Sequence, residues 1–260
     1  MTWRAVALAA LVSVSAVGGS GCHAQLENQP GGIDAPGSNG SNRQDASRQT
    51  PLDSSTTMTP DAAAAACPTG RVLFLNFEGS PLIKAATSDA TLNHASWMGV
   101  ASVTMPGYLA GNANRAQLII DVTNAVKAGL TNLPNISIVT TRPPSGPYVM
   151  IGFGGTEAMV AITYRFAVQQ LDCTDVVKND LGWVFDDSGG TQQAANNAIG
   201  AVGFGLGLTG TTNTSGCMCG WLSNCVPTAA ACTLSTSIPA LANCNMNPQN
   251  EVAAFQSFCN

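Results

Sequence analysis

Charge is scarce in this 260-residue chain: 10% of its residues are charged, ten basic against fifteen acidic, for a net charge of −5. Nothing resembles the basic stripe that neutralises a phosphate backbone, so nucleic acid is excluded as a partner class. Histidine is scarcer still. The two present, His23 and His94, cannot supply a site of three imidazoles. The most apolar stretch, Ala5–Val17, falls short of the roughly 20 residues that a permanent membrane span takes. No G-x-S-x-G is present, which removes the nucleophile elbow of α/β-hydrolases. Gly205–Gly210 does fit G-x-G-x-x-G, the dinucleotide fingerprint, but that motif opens a helix after a strand and needs a following acid. Here the glycines close a helical pattern, and no Asp or Glu occurs between Asp187 and Glu251.

Cysteine, by contrast, is plentiful: nine residues, eight of them from Cys67 onward. Arg4 followed by Ala5–Val17 and then Gly18-Gly19-Ser20-Gly21 reads as a signal peptide over residues 1–21. Behind an export signal, Cys67, Cys173, Cys217, Cys219, Cys225, Cys232, Cys244 and Cys259 are read as disulfide partners, their pairing left open. Metal ligation by Cys217, Cys219 and Cys225 is the lesser alternative. Gly19-Ser20-Gly21-Cys22 resembles the lipobox of bacterial lipoproteins, which implies a diacylated Cys22 as first mature residue and a membrane-anchored, exported protein. Gly19 stands where that motif carries an aliphatic residue, so cleavage by an ordinary signal peptidase and secretion is the alternative. Residues 22–66, rich in Gly, Ser, Asn, Asp, Pro, Thr and Gln, bury too little apolar surface to offset chain entropy and read as a disordered tether.

The folded part is expected at 67–260. Arg71–Phe77, Ile136–Thr141, Tyr148–Phe153 and Leu181–Phe185 are apolar runs bounded by turn residues, hence strands, the last of them an edge strand. Residues 80–112 read as a long irregular connection, and 158–170 as strand or helix. Ala113–Leu130 places Leu118, Val122, Ala125, Val126 and Leu130 on one helical face. In residues 190–210, Ala195, Ile199, Val202 and Leu206 recur at helical spacing despite Gly200, Gly203, Gly205 and Gly207; each such glycine costs about 1 kcal/mol in a helix interior. The order implies an α/β (α+β) fold: a mixed sheet backed by two helices over 67–210, then a loop-rich, disulfide-linked subdomain over 211–260. Gln249–Phe258, with Val252, Phe255 and Phe258 apolar, is expected as its closing helix.

The element order and the glycine-rich helix resemble the metzincin zinc metalloproteases, whose signature H-E-x-x-H-x-x-G-x-x-H precedes a methionine turn. In that family three imidazoles hold zinc and the Glu deprotonates a water for attack on a peptide carbonyl. The signature falls on Gly200–Gly210. Gly207 matches the bend glycine, and Gly203 and Leu208 match common members. Gly200, Phe204 and Gly210 stand at the three His positions and Ala201 at the Glu. Cys244–Pro248, with Met246, resembles the Met-turn. The resemblance therefore implies a relative without catalytic residues, metal or cofactor. Phe204, four residues after Gly200 and on the same face, is expected to fill the vacated space. Such a protein would bind or scaffold at the cell envelope, holding an extended peptide or protein in the former substrate cleft, with a membrane contact through the lipid anchor only. The alternative is a hydrolase using Asp186 or Asp187, or a cysteine-bound metal. Asp187-Ser188-Gly189 fits the aspartic-protease D-[ST]-G, but one copy lacks the second carboxylate, and a turn with Asp and Ser capping the helix is the favoured reading. His94 is read as a surface or core residue.

Overall fold

The computed structural model describes residues 70–163, 165–173, 175–221, 223–238, 244 and 248–258. The signal segment, Cys22, the tether, Cys67, Met246 and Cys259 lie outside the described residues. In chain order the elements are β1 (Arg71–Asn76), β2 (Ser80–Lys84), β3 (His94–Ala95), β4 (Ser102–Met105), α1 (Arg115–Gly129), β5 (Ile136–Val139), β6 (Tyr148–Phe153), β7 (Ala167–Val168), β8 (Leu181–Val184), α2 (Thr191–Gly205) and α3 (Glu251–Gln256). The fold is α+β, with its disulfides in the C-terminal region.

Five strands form the main sheet in the order β5-β1-β6-β8-β7. β1 pairs in parallel with β5 and β6, and β6 with β8; only β7 runs antiparallel. β6 is buried at every position, as a parallel strand covered on both faces must be. Alternation along the strands splits the core into two layers. Leu73, Leu75, Val149, Ile151, Phe153 and Val184 pack with α1 and α2. Phe74, Tyr148, Met150, Trp183 and Phe185 pack on the opposite face with Leu82, Ala95, Met98 and Met105. That second layer is a three-stranded sheet, β3-β2-β4, so residues 80–112 are not the irregular connection expected. His94 sits within it, paired with Ile83 and half-buried.

Two further expectations change. Leu181–Phe185 is interior rather than an edge, because β7, from the stretch left ambiguous, covers its free side. The C-terminal helix starts at Glu251, not Gln249, since the Asn250 side chain caps it by accepting the Ala253 N–H.

The first strand and the last described residues meet at Arg71. Its fully buried guanidinium donates to both carboxylate oxygens of Asp175 at 2.9 and 3.2 Å and to the carbonyls of Val177 and Lys178, and it lies 4.4 Å from the Phe258 ring centre. Charge and ring together satisfy a cation that would otherwise be costly to bury. Removing the cation leaves Asp175 without its buried partner. Arg71→Met is expected to destabilise the fold by about 3–5 kcal/mol, read as a shift in urea midpoint with unchanged slope; a change below about 1 kcal/mol would refute this assignment.

Candidate functional site

Helix α2 enters through the turn 186–190 and leaves through Gly207. The expected capping by Asp and Ser does not occur: Gly190 is the N-cap and no side chain bonds the first turn. Asp186 instead accepts the N–H groups of Leu109 and Gly155 at 2.9 and 3.0 Å, tying the turn to two neighbouring loops. Asp187 is exposed as a residue, but partial desolvation of its carboxyl, with the nearby Glu157 and Asp186 carboxylates, outweighs a backbone hydrogen bond and pushes it up. The Ser188 hydroxyl is buried and has no hydrogen-bond partner among the described residues.

At the other end the helix stops at Gly205, earlier than the expected 210. The Leu208 N–H bonds the Gly203 carbonyl and the Gly207 N–H bonds that of Phe204, a Schellman closure with Gly207 at φ +81°. A side chain at this φ would be strained, and Asp172 and Cys173 backbone atoms stand 3.0 Å from where it would begin. Gly207 is thus the bend the sequence suggested. Beyond it, Gln249 clamps the exit segment: its amide accepts the Thr209 N–H and donates to the Thr209 carbonyl, while also donating to buried Glu251.

Positions 200, 204 and 210 face one group, the indole-bearing residue Trp221. A methyl at 200 would collide with the Trp221 ring nitrogen and lie 2.8 Å from the Cys217 carbonyl oxygen. The Phe204 ring lies 5.2 Å from that of Trp221, tilted by 35°. A methyl at 210 would collide with the Trp221 carbonyl oxygen and come within 2.7 Å of Ser223 Cβ. Ala201, fully buried, packs toward Gly182 of β8. The group against Gly200 is Trp221, which sequence reasoning missed, and the Phe204 ring packs on that indole. The one available signal was a Trp inside the tightest cysteine pair. Cys219–Cys225 brackets it, Cys217–Cys232 encloses that loop, and Cys173–Cys244 ties the C-terminal subdomain to the loop before β8. Buried Met218 lies under Gly203, 2.7 Å from a methyl there.

Side chains at 200, 204 and 210 offer no donor to a metal, and Ala201 offers no base. A zinc centre of the metzincin type does not fit these residues, and no step can be routed through one. The six bridged cysteines are likewise not thiolate ligands. Such bridges mark an oxidising, exported setting, and among the described residues no helix is long and apolar enough to cross a membrane. Compared with known proteins, the chain matches no family model and no curated sequence.

Below the helix end lies a buried acid. Asp180 is 3% exposed, its Oδ2 2.6 Å from where a methyl on Gly205 would sit. Burial pushes its carboxyl up to about 8, with Asp172 and Asp175 adding to the rise and Arg71 and Lys178 opposing it.

Two expectations follow. Phe204→Ala should cost about 3–5 kcal/mol as a buried ring deletion, and Gly200→Ala, stabilising by about 1 kcal/mol in an open helix, should destabilise here. In a Trp221→Ala background the Gly200→Ala penalty should shrink to what the Cys217 carbonyl still imposes; an unchanged penalty in this double-mutant cycle would refute the Trp221 contact. For Asp180, the folded form holds a proton that the unfolded chain releases near the ordinary value of 3.8. Its contribution is therefore fully present at acid pH and lost as pH rises towards about 8. Asp180→Asn should match the parent at pH 4 and become more stable by up to about 1.4 kcal/mol per pH unit above it. Melting curves at both ends of the range check this, and a pH-independent difference would refute it.

Proposed function

We propose that this chain is a catalytically inactive relative of the metzincin zinc metalloproteases that binds or scaffolds an extended peptide at the cell envelope, anchored through a lipidated Cys22. The observation that carries the reading is the convergence of positions 200, 204 and 210 on Trp221. Three residues spaced as metal ligands across a helix end and its bend all approach one residue, Gly200 and Phe204 its indole ring and Gly210 its backbone carbonyl. Support also comes from the mixed sheet with one antiparallel edge strand, β7, and two helices on one face. An unpaired edge accepts an added strand through main-chain hydrogen bonds, which needs neither metal nor catalytic acid.

The alternative, a hydrolase built on Asp186 or Asp187 or on cysteine-bound metal, has less to support it. Asp186 is committed to two backbone amides, and Cys217, Cys219 and Cys225 are oxidised. Elemental analysis and a broad peptide-cleavage assay on the purified full chain separate the two readings. The expected outcome is no stoichiometric zinc and no turnover. One zinc per chain, or cleavage that Asp187→Asn abolishes, would overturn the proposal.

A further inference from the structure

We propose that Cys67 and Cys259 form a fourth disulfide, which joins the start of the folded region to its end and leaves Cys22 without a partner in the chain. Six of the nine cysteines are paired as Cys173–Cys244, Cys217–Cys232 and Cys219–Cys225. Cys22, Cys67 and Cys259 remain, so one further bridge at most can form within the chain.

The described residues next to Cys67 and Cys259 converge on Asn135. A methyl on Gly70 would collide with the Asn135 carbonyl oxygen, which accepts the Arg71 N–H at 2.9 Å. The Asn135 side-chain amide donates to the carbonyls of Phe255, Gln256 and Phe258 at 3.0, 3.2 and 3.3 Å. One asparagine thus holds the start of β1 with its backbone and the end of α3 with its side chain. Arg71 repeats the join, its guanidinium 4.4 Å from the centre of the Phe258 ring. Arg71 and Phe258 are 0 and 1% exposed, so this junction is part of the packed interior.

Cys259 follows Phe258 directly, and Cys67 precedes Gly70 by three residues. Three residues reach about 10 Å and one reaches about 3.8 Å, whereas a disulfide needs Cα atoms about 5.5–6 Å apart. The folded junction therefore holds the two within bridging reach. Cys22 has no such preparation. Residues 23–66 separate it from Cys67, and closing so long a loop costs entropy that the junction has already met. In forming the bridge the two thiols give up two protons and two electrons. A thiol–disulfide oxidant of the export compartment takes them, its own disulfide becoming two thiols. A pull along the tether is then shared between β1 and α3 instead of falling on β1 alone.

Peptide mapping of the full-length protein from an exporting host, unfolded in N-ethylmaleimide without reductant, tests this. Cleavage after Lys, Arg and Glu releases residues 49–71, with Cys67 alone, and 252–260, with Cys259 alone. Expected is one species joining these two peptides, which separates into both on reduction. Recovery of either peptide alkylated, or joined to a peptide carrying Cys22 or any other cysteine, would overturn the inference. Cys67→Ser and Cys259→Ser should each lower Tm by about 5–10 °C and add one thiol to the count in denaturant. The double variant should fall no further, because the same bridge is lost in every case; additive losses would also overturn it. The map of the parent protein decides even where a variant does not fold. Zinc content or turnover would not alter the pairing, so this test stands apart from that of the reading above.

Discussion

Neighbours approach helix α2 more closely than side chains would allow, and the rest of the molecule is arranged around that approach. Trp221 presses on position 200, Met218 on 203, and Asp180 and Gln169 on 205. Each glycine sacrifices about 1 kcal/mol of helix propensity, yet each admits a group whose burial contributes about 1.5–3 kcal/mol when the side chain is large and apolar. The exchange is favourable only because the neighbours are fixed. Trp221 is held by two nested disulfides, and the exit segment by the Gln249 clamp. A glycine-rich helix that would fray alone is thus confined from outside, as most helices derive their stability from tertiary packing rather than propensity.

What could be read beforehand tracks how local each signal is. β1 and β6 are continuous apolar runs because parallel strands are buried on both faces, and the expected range Tyr148–Phe153 is the observed one. The stripe from Leu118 to Leu130 marked α1 for the same kind of reason. β2 to β4 were invisible: Ser80–Lys84 contains a proline and His94–Ala95 is two residues long, so neither shows a period. The edge was misjudged because a buried run such as Leu181–Val184 says nothing about which neighbour covers it, and a two-residue strand like β7 has no pattern to find. In the site, Gly207 was legible since a positive-φ bend has few alternatives to glycine. Trp221 was not, since its contacts cross a loop whose course is set by cross-links.

The scarcity of charge conceals how much the few charged residues do. Arg71 opens β1 yet is fully buried, a place that composition alone would never assign to an arginine. Its donors are spread over the loop 175–178 and its face over Phe258. One side chain thereby joins the first strand, the approach to β8 and the C-terminal segment. Arg142 does similar work in the other layer, donating to the Ala90 carbonyl, Asn93 and Tyr148. In a chain with ten basic residues, two of them act as internal staples.

A metal held by three side chains would fix the helix, its exit and the following subdomain at one point, and would also supply chemistry. In the reading proposed, Trp221 takes that place by packing, its ring against Gly200 and Phe204 and its carbonyl against Gly210. On that reading, whatever the molecule does has to occur where backbone groups remain uncommitted. Among the described residues, the outer edge of β7 meets that condition: β7 is hydrogen-bonded to β8 alone, so its outward N–H and C=O lack a strand partner. The same logic explains why a bound peptide would find a rigid platform there. β8, which β7 rests on, is buried throughout and packs against α2 and β6, so added pairing at the edge would not have to order the sheet beneath it.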